Sequence, residues 1–285
     1  MLEKLLDRLL GEKSGQRKTR VGLALGGGAI LGAAHVGVLK ALEERGVKIE
    51  AITGTSIGAF VAILYAFGIP VAEIEARVKE LGWLDITNFR LSRYGLLSNE
   101  KLAHMLHSMI GDVSFADAKI PLAVVATNIG SGKRVVLQEG DVALAAMAST
   151  CVPAVFAPVE IDGEMFVDGG LVENVPLSPL PALGANYLIG VDLNAKRQYE
   201  PPHDILDVLM NALDIAIDNS TRLQTREVDV LITPEVFHFS RTDTDNVENL
   251  VKEGYETALR ELKSSPFKAA RLRTIPRKIF RRKAK

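Results

Sequence analysis

Ile52–Phe60, ITGTSIGAF, sets Ser56 between Gly54 and Gly58, two residues from each. The apolar run Ile49–Thr53 leads into it, and the alanine-rich stretch Ile57–Phe67 follows it. This pattern predicts a strand that turns sharply at Ser56 and continues as a helix, with glycines where two backbones pass too closely for a side chain. The same layout precedes it: Val21–Leu25 is apolar and runs into Gly26-Gly27-Gly28, and Ala33–Arg45 has helical periodicity ending at Gly46. Strand, helix, strand, helix in close succession is the signature of a parallel sheet with crossover connections.

Further strands are expected at Leu122–Thr127, Arg134–Leu137, Tyr187–Asp192 and Val228–Thr233, and helices at Asn99–Ile110, Val142–Met147 and Ile205–Thr225. Residues 21–39 and 51–69 are apolar enough to suggest membrane spans. Their glycines, with Thr53, Thr55 and Ser56, favour buried strands, turns and helices. The expected fold is α/β, a three-layer arrangement with a mostly parallel central sheet flanked by helices. It fills residues 21–262, between an N-terminal amphipathic segment, 1–20, and a basic C-terminal tail, 263–285.

The chain has 285 residues, 47% hydrophobic and 24% charged, enough for one large core. Its one cysteine, Cys151, excludes an internal disulfide framework and favours an intracellular compartment. Five scattered histidines offer no zinc-ligand spacing, so neither a metal nor a cofactor is expected. Net charge is −1, but residues 263–285 carry ten Lys or Arg and no acid, leaving 24 bases against 35 acids elsewhere. A body at −11 with a cationic tail argues against nucleic acid and for an anionic membrane surface as the tail's partner. Leu2, Leu5, Leu6, Leu9 and Leu10 at helical spacing make a second, weaker anchor.

Three glycines between a strand and a helix let backbone N–H groups converge on an anion, either a phosphate or a tetrahedral oxyanion. A dinucleotide fingerprint started at Gly26 fails because Leu31 stands where its last glycine belongs, and no P-loop is present. The oxyanion is the better reading. Ser56 would then stand at a helix N-terminus that favours an alkoxide, although it could simply cap that helix. Downstream, FVDGGLVENVPL (Phe166–Leu177) presents Asp168 before two glycines, a pattern that alone is an ordinary turn.

The ordered set of serine elbow, upstream glycine nest and Asp168-Gly169-Gly170 resembles the patatin-like phospholipase family. The likeness runs from about Val21 to Asp192 and takes in RYGLLSNEKL and STCVPAVFAPVEIDGEMFVDGG. It implies a Ser–Asp dyad, with Asp168 taking the proton of Ser56. It also implies an oxyanion hole at Gly26, Gly27 and Gly28, with Gly27 and Gly28 the main donors and the Ile57 N–H helping. The family often carries Arg or Lys after the glycine run; here AIL (Ala29–Leu31) fills that space, so only backbone donors remain.

The implied function is hydrolysis of glycerolipid or lysophospholipid acyl esters through an acyl-enzyme. The implied setting is cytoplasmic, peripheral at the inner face of the membrane. Acyl transfer or thioester cleavage by the same dyad, and a membrane-surface scaffold with little chemistry, are the alternatives. His203 and His238 follow Asp168 in the chain order of a Ser, Asp, His triad. His203 reads as a loop entering a helix and His238 as a half-exposed strand end; His35 reads as a packed helix residue. Leu84–Ser98 is the candidate lid. Oligomeric state is left open by the sequence.

Overall fold

The computed structural model describes residues 19–80, 88–89, 95–239 and 246–264. In chain order the elements are β1 (Val21–Leu25), α1 (Ala33–Glu44), β2 (Ile49–Thr55), α2 (Ile57–Ala66), α3 (Val71–Glu80), β3 (Asn88–Phe89) and β4 (Gly95–Ser98). Then come α4 (Glu100–Ile110), β5 (Leu122–Asn128), β6 (Lys133–Leu137), α5 (Val142–Ser149), β7 (Ala154–Phe156), β8 (Val159–Ile161) and β9 (Glu164–Asp168). The order closes with α6 (Gly170–Glu173), β10 (Tyr187–Val191), α7 (Ile205–Gln224), β11 (Val230–Ile232) and α8 (Val247–Glu261).

The main sheet runs β11-β10-β1-β2-β5-β9-β8, with β6 also paired to β5. From β11 to β5 all pairs are parallel; β9, β8 and β6 join antiparallel. β1 and β5 are buried at every position, as expected of strands covered on both faces, and their sequences, VGLAL and LAVVATN, are near-continuous apolar runs. α2 is equally apolar and buried along most of its length, so the window that suggested a membrane span is core. Among the described residues no helix is long and apolar enough to cross a membrane.

The chain leaves β1 toward β2 on one side and later places β10 on the other, so Leu25 pairs with both Gly54 and Val191. In open α/β sheets, ligands bind outside the carboxyl ends of strands at such a reversal. Three connections leave this edge side by side: Gly26–Gly28 after β1, Ser56 after β2 and Asp192–Asn194 after β10.

Several expectations need correction. The last strand is shorter than Val228–Thr233. His238 lies in a turn, not at a strand end. The antiparallel extension by β8 and β9 and the helices α3 and α8 were not foreseen. The N-terminal amphipathic segment and the basic tail lie outside the described residues but for a few at their inner ends, as does most of the candidate lid, of which β3 and β4 are described.

Candidate active site

Ser56 is one of few non-glycine residues at positive φ (55°), on the bend between β2 and α2. Such strained backbone persists only where its surroundings fix it. Here the Ser56 N–H donates to Ser149 Oγ at 2.8 Å, and the buried Ser149 hydroxyl donates to the Val125 carbonyl at 2.7 Å. The elbow also needs its glycines: a Cβ on Gly58 would stand 2.2 Å from the Leu25 carbonyl oxygen.

Asp168 ends β9, opposite Ala126 of β5. A Cβ on the next residue, Gly169, would stand 2.1 Å from the Val125 carbonyl oxygen, so only glycine lets the chain turn there. That turn brings the buried Asp168 carboxylate into the same cavity as the Ser56 hydroxyl, close enough for the two to interact, while its Oδ1 accepts the Gly170 N–H at 2.7 Å. Burial pushes the Asp168 carboxyl up to about 6, against the opposing pull of the Ser56 and Gly170 hydrogen bonds. The nearby Cys151 thiol is pushed up to about 12, by burial first and by the Asp168 charge second, which keeps it an inert thiol.

In the glycine run, each peptide plane is held by a buried side chain. His35 Nε2–H donates to the Gly26 carbonyl at 2.7 Å; at the other end of that peptide, the Gly27 N–H donates to Asn174 through Oδ1 (3.2 Å) and the main-chain oxygen (3.3 Å). Asn194 Nδ2 donates to the Gly27 carbonyl at 2.9 Å. A trans peptide points C=O and N–H in opposite directions. The Gly28 N–H is thereby aimed away from Asn194, and it makes no hydrogen bond to any described residue. The Ile57 N–H makes none either. The Gly26 N–H, in contrast, donates to the Val191 carbonyl at 3.0 Å. Of the four expected oxyanion donors, Gly26 and Gly27 are thus already engaged in holding the turn.

Burial lowers His35 to about 4, so it stays neutral, consistent with its donor role to Gly26. His203 and His238 are exposed, and neither accompanies Asp168 at Ser56. Two cavities meet at Ser56. One is apolar, lined by Ile30, Ala33, Val61, Leu102, Val152 and Phe156. The other carries Gly28, Asp168, Asn174, Asn194, Arg197 and Asp214 and is walled by Met210, Leu213 and Ile217 of α7. Elsewhere, His107, Asp112 and Asp141 bring ligand atoms within 4.8 Å of one another at the surface, but Asp141 Oδ1 already caps α5.

Sequence reasoning did not single out Ser149, Asn174, Asn194 or Arg197. Asn174 sits within the quoted FVDGGLVENVPL, and Asn194 lies just past the strand expected to end at Asp192. The only cue was their place in or beside recognised stretches.

Strand-glycine-helix turns at one sheet edge, a strained serine at one of them and a buried aspartate in the same cavity define an α/β fold with a candidate site at Ser56. Residues 23–181 match the family Patatin-like phospholipase, and the chain belongs to that family. It is 37% identical over 183 residues to an uncharacterised NTE family protein of Mycobacterium bovis, spanning 63% of this chain and 51% of that protein. Lysophospholipase NTE1 of Candida glabrata is 32% identical over 181 residues, 61% of this chain but 10% of the yeast protein. The chain therefore spans about half or less of these relatives. The crystal structure of VipD from Legionella pneumophila shares the fold, with a TM-score of 0.60 at 16% identity over 86% of this chain and 67% of that one.

Proposed function

We propose that this chain hydrolyses fatty acyl esters of glycerolipids or lysophospholipids through an acyl-enzyme on Ser56. The observation that carries the proposal is the strained Ser56 sharing a cavity with the buried Asp168 carboxylate, beside two N–H groups, those of Gly28 and Ile57, that bond to no described residue. Family membership and the lysophospholipase relatives support lipid esters as the substrate class.

The ester's acyl chain occupies the cavity lined by Ile30, Val61 and Phe156, and its alcohol portion the one that carries the charged Arg197 and Asp214. As Ser56 Oγ attacks the carbonyl carbon, Asp168 takes the hydroxyl proton. A carboxylate stripped of water is a stronger base than an exposed one, and a value of about 6 leaves it ionised at neutral pH. The tetrahedral oxyanion receives the Gly28 and Ile57 N–H groups, whose positions are held before substrate arrives. Collapse breaks the ester C–O bond, and Asp168 returns the proton to the departing alcohol. Water then repeats the sequence on the acyl-enzyme, with Asp168 taking its proton, and the fatty acid leaves.

The test is mass spectrometry of fatty acid released from lysophosphatidylcholine and diacyl phospholipid by the purified protein and by Ser56→Ala. Release by the former alone supports the proposal; equal release by both defeats it.

A further inference from the structure

An ordinary surface helix turns apolar residues inward and charged ones outward. Over residues 205–218, α7 does the reverse. Ile205, Leu206, Val208, Leu209, Ala212, Ile215 and Ala216 are the exposed side chains of this stretch, and all are apolar; Ile205 is 87% exposed and Val208 53%. The charged residues, Asp207, Asp214 and Asp218, are partly buried. Asp214 and Asp218 pair with the largely buried Arg197, and Asp218 also accepts the Tyr199 hydroxyl at 2.6 Å.

The spacing of Ile205, Val208, Leu209, Ala212, Ile215 and Ala216 places most of this surface on one helical face. From Ile205 to Ala216 it is a rod of roughly 18 Å at 1.5 Å per residue. The opposite side of the same helix supplies Met210, Leu213 and Ile217 to the wall of the cavity at Ser56. Tyr199 and Phe237, both part-exposed aromatics, line a depression that also takes in Asn211 and Asp214 of α7. Aromatic side chains of this kind favour a boundary between water and hydrocarbon.

We propose that the outer face of α7 docks on a lipid surface, lying in the plane between headgroups and acyl chains. A face without charge suits hydrocarbon, and one helix is both that face and the wall of the Ser56 cavity, so docking sets the cavity against the layer that holds the substrate. Only the choice of lipid as the occupant rests on the proposed hydrolysis. This contact is apolar and so differs from the electrostatic attachment expected of the basic tail.

The test uses the full chain carrying Ser56→Ala, so that no lipid is consumed, and flotation with phosphatidylcholine vesicles at low and high salt. Adding Ile205→Ser, Val208→Ser, Leu209→Ser and Ile215→Ser should lower partitioning about 10-fold or more at both salt concentrations. In the Ser56-containing protein, turnover of a soluble short-chain ester should stay unchanged. A second variant, Ile205→Trp, should show a blue shift of fluorescence when vesicles are added, relative to the parent with its single Trp83. Unchanged partitioning of the quadruple variant, or no shift from Ile205→Trp, overturns the proposal. So does a dimer that the quadruple substitution dissociates, which would make this face a contact between two copies. A Ser56→Ala protein that still released fatty acid would defeat the hydrolase reading without touching the partitioning result.

Discussion

Asn194 Nδ2 holds the Gly27 carbonyl at 2.9 Å, and the effect falls at the far end of that peptide, on the Gly28 N–H. Asn194 is itself fixed: its N–H donates to Asp192 Oδ1 at 2.9 Å, at the end of β10. A strand on one side of β1 therefore orients the Gly28 N–H, the donor that the proposed hydrolysis uses at the serine on the other side. Asn194→Ala should lower kcat by about 10- to 100-fold, below the full loss of an oxyanion donor, with KM changed much less. Affinity for a trifluoromethyl ketone, which forms a tetrahedral adduct, should fall in parallel with kcat/KM. A fall in thermal stability with kcat and inhibitor affinity intact would reduce Asn194 to a packing role.

Ser56→Ala and Asp168→Asn should each bring ester hydrolysis down by about 1,000-fold or more while the protein still unfolds cooperatively, because members of one proton-transfer unit fail together. His203→Ala and His238→Ala should retain most activity, since both are exposed. A severe loss in either histidine variant, alongside a mild effect of Asp168→Asn, would replace the pair with a triad.

The Asp168 carboxyl must be ionised to accept a proton, and burial has raised it to about 6. The rate of kcat/KM should therefore climb with pH through about 6 and level off above it, where an exposed carboxylate would already be flat. The same shift has a stability consequence of opposite direction. Between the ordinary carboxylate value and about 6 the folded protein holds a proton that the unfolded chain releases, so this group's contribution to stability declines as pH rises through that window. A profile on a soluble ester that is flat from pH 5 to 8 would contradict both.

How much of this could be read from the chain depends on distance along it. β1 and β2 and the helices that follow them were legible because short apolar runs met glycines and then helical periodicity, all local signals. β8 and β9 form a local hairpin over Asp162-Gly163 whose strands are too short to stand out, and its docking on β5, some forty residues upstream of Asp168, has no local signal. Ser56 and Asp168 were recognisable as motifs and were paired only through the family resemblance, since their approach in space depends on Gly169 passing over Val125, which no local pattern reports. His35, Asn174 and Asn194 converge on Gly26 and Gly27 from three separate stretches, and no spacing within one of them announces the other two. The outward apolar face of α7 was hidden for a different reason: periodicity reports that a helix has an apolar side, not which way that side turns.

The basic tail should act independently of α7. Deleting residues 263–285 should weaken binding to phosphatidylglycerol vesicles at low salt, and the difference should shrink as salt screens the surface. Binding to phosphatidylcholine vesicles and turnover of a soluble ester should barely change. A deletion that leaves phosphatidylglycerol binding unaltered would remove the tail from membrane attachment.

Gly27 and Gly28 looked equivalent as donors, and their surroundings separate them. At Gly28, φ is 172°, extended backbone open to any residue, and an added Cβ would meet the buried Leu193 at Cδ1 (2.9 Å) and Cβ (3.2 Å), so that one apolar residue outside the site must shift by a few tenths of an ångström. The N–H survives in Gly28→Ala, so the loss in kcat should stay within about 10-fold, smaller than the removal of a donor. At Gly27, a Cβ would stand 2.8 Å from Asn174 Oδ1 and 3.1 Å from Ser56 Cβ. Relief requires moving either the side chain that holds the Gly27 N–H or the strained serine itself. Gly27→Ala should therefore cost about 100-fold or more in kcat, the scale of a lost oxyanion interaction. Measured side by side on one soluble ester, equal losses at the two positions would mean that the glycine run serves only as a turn.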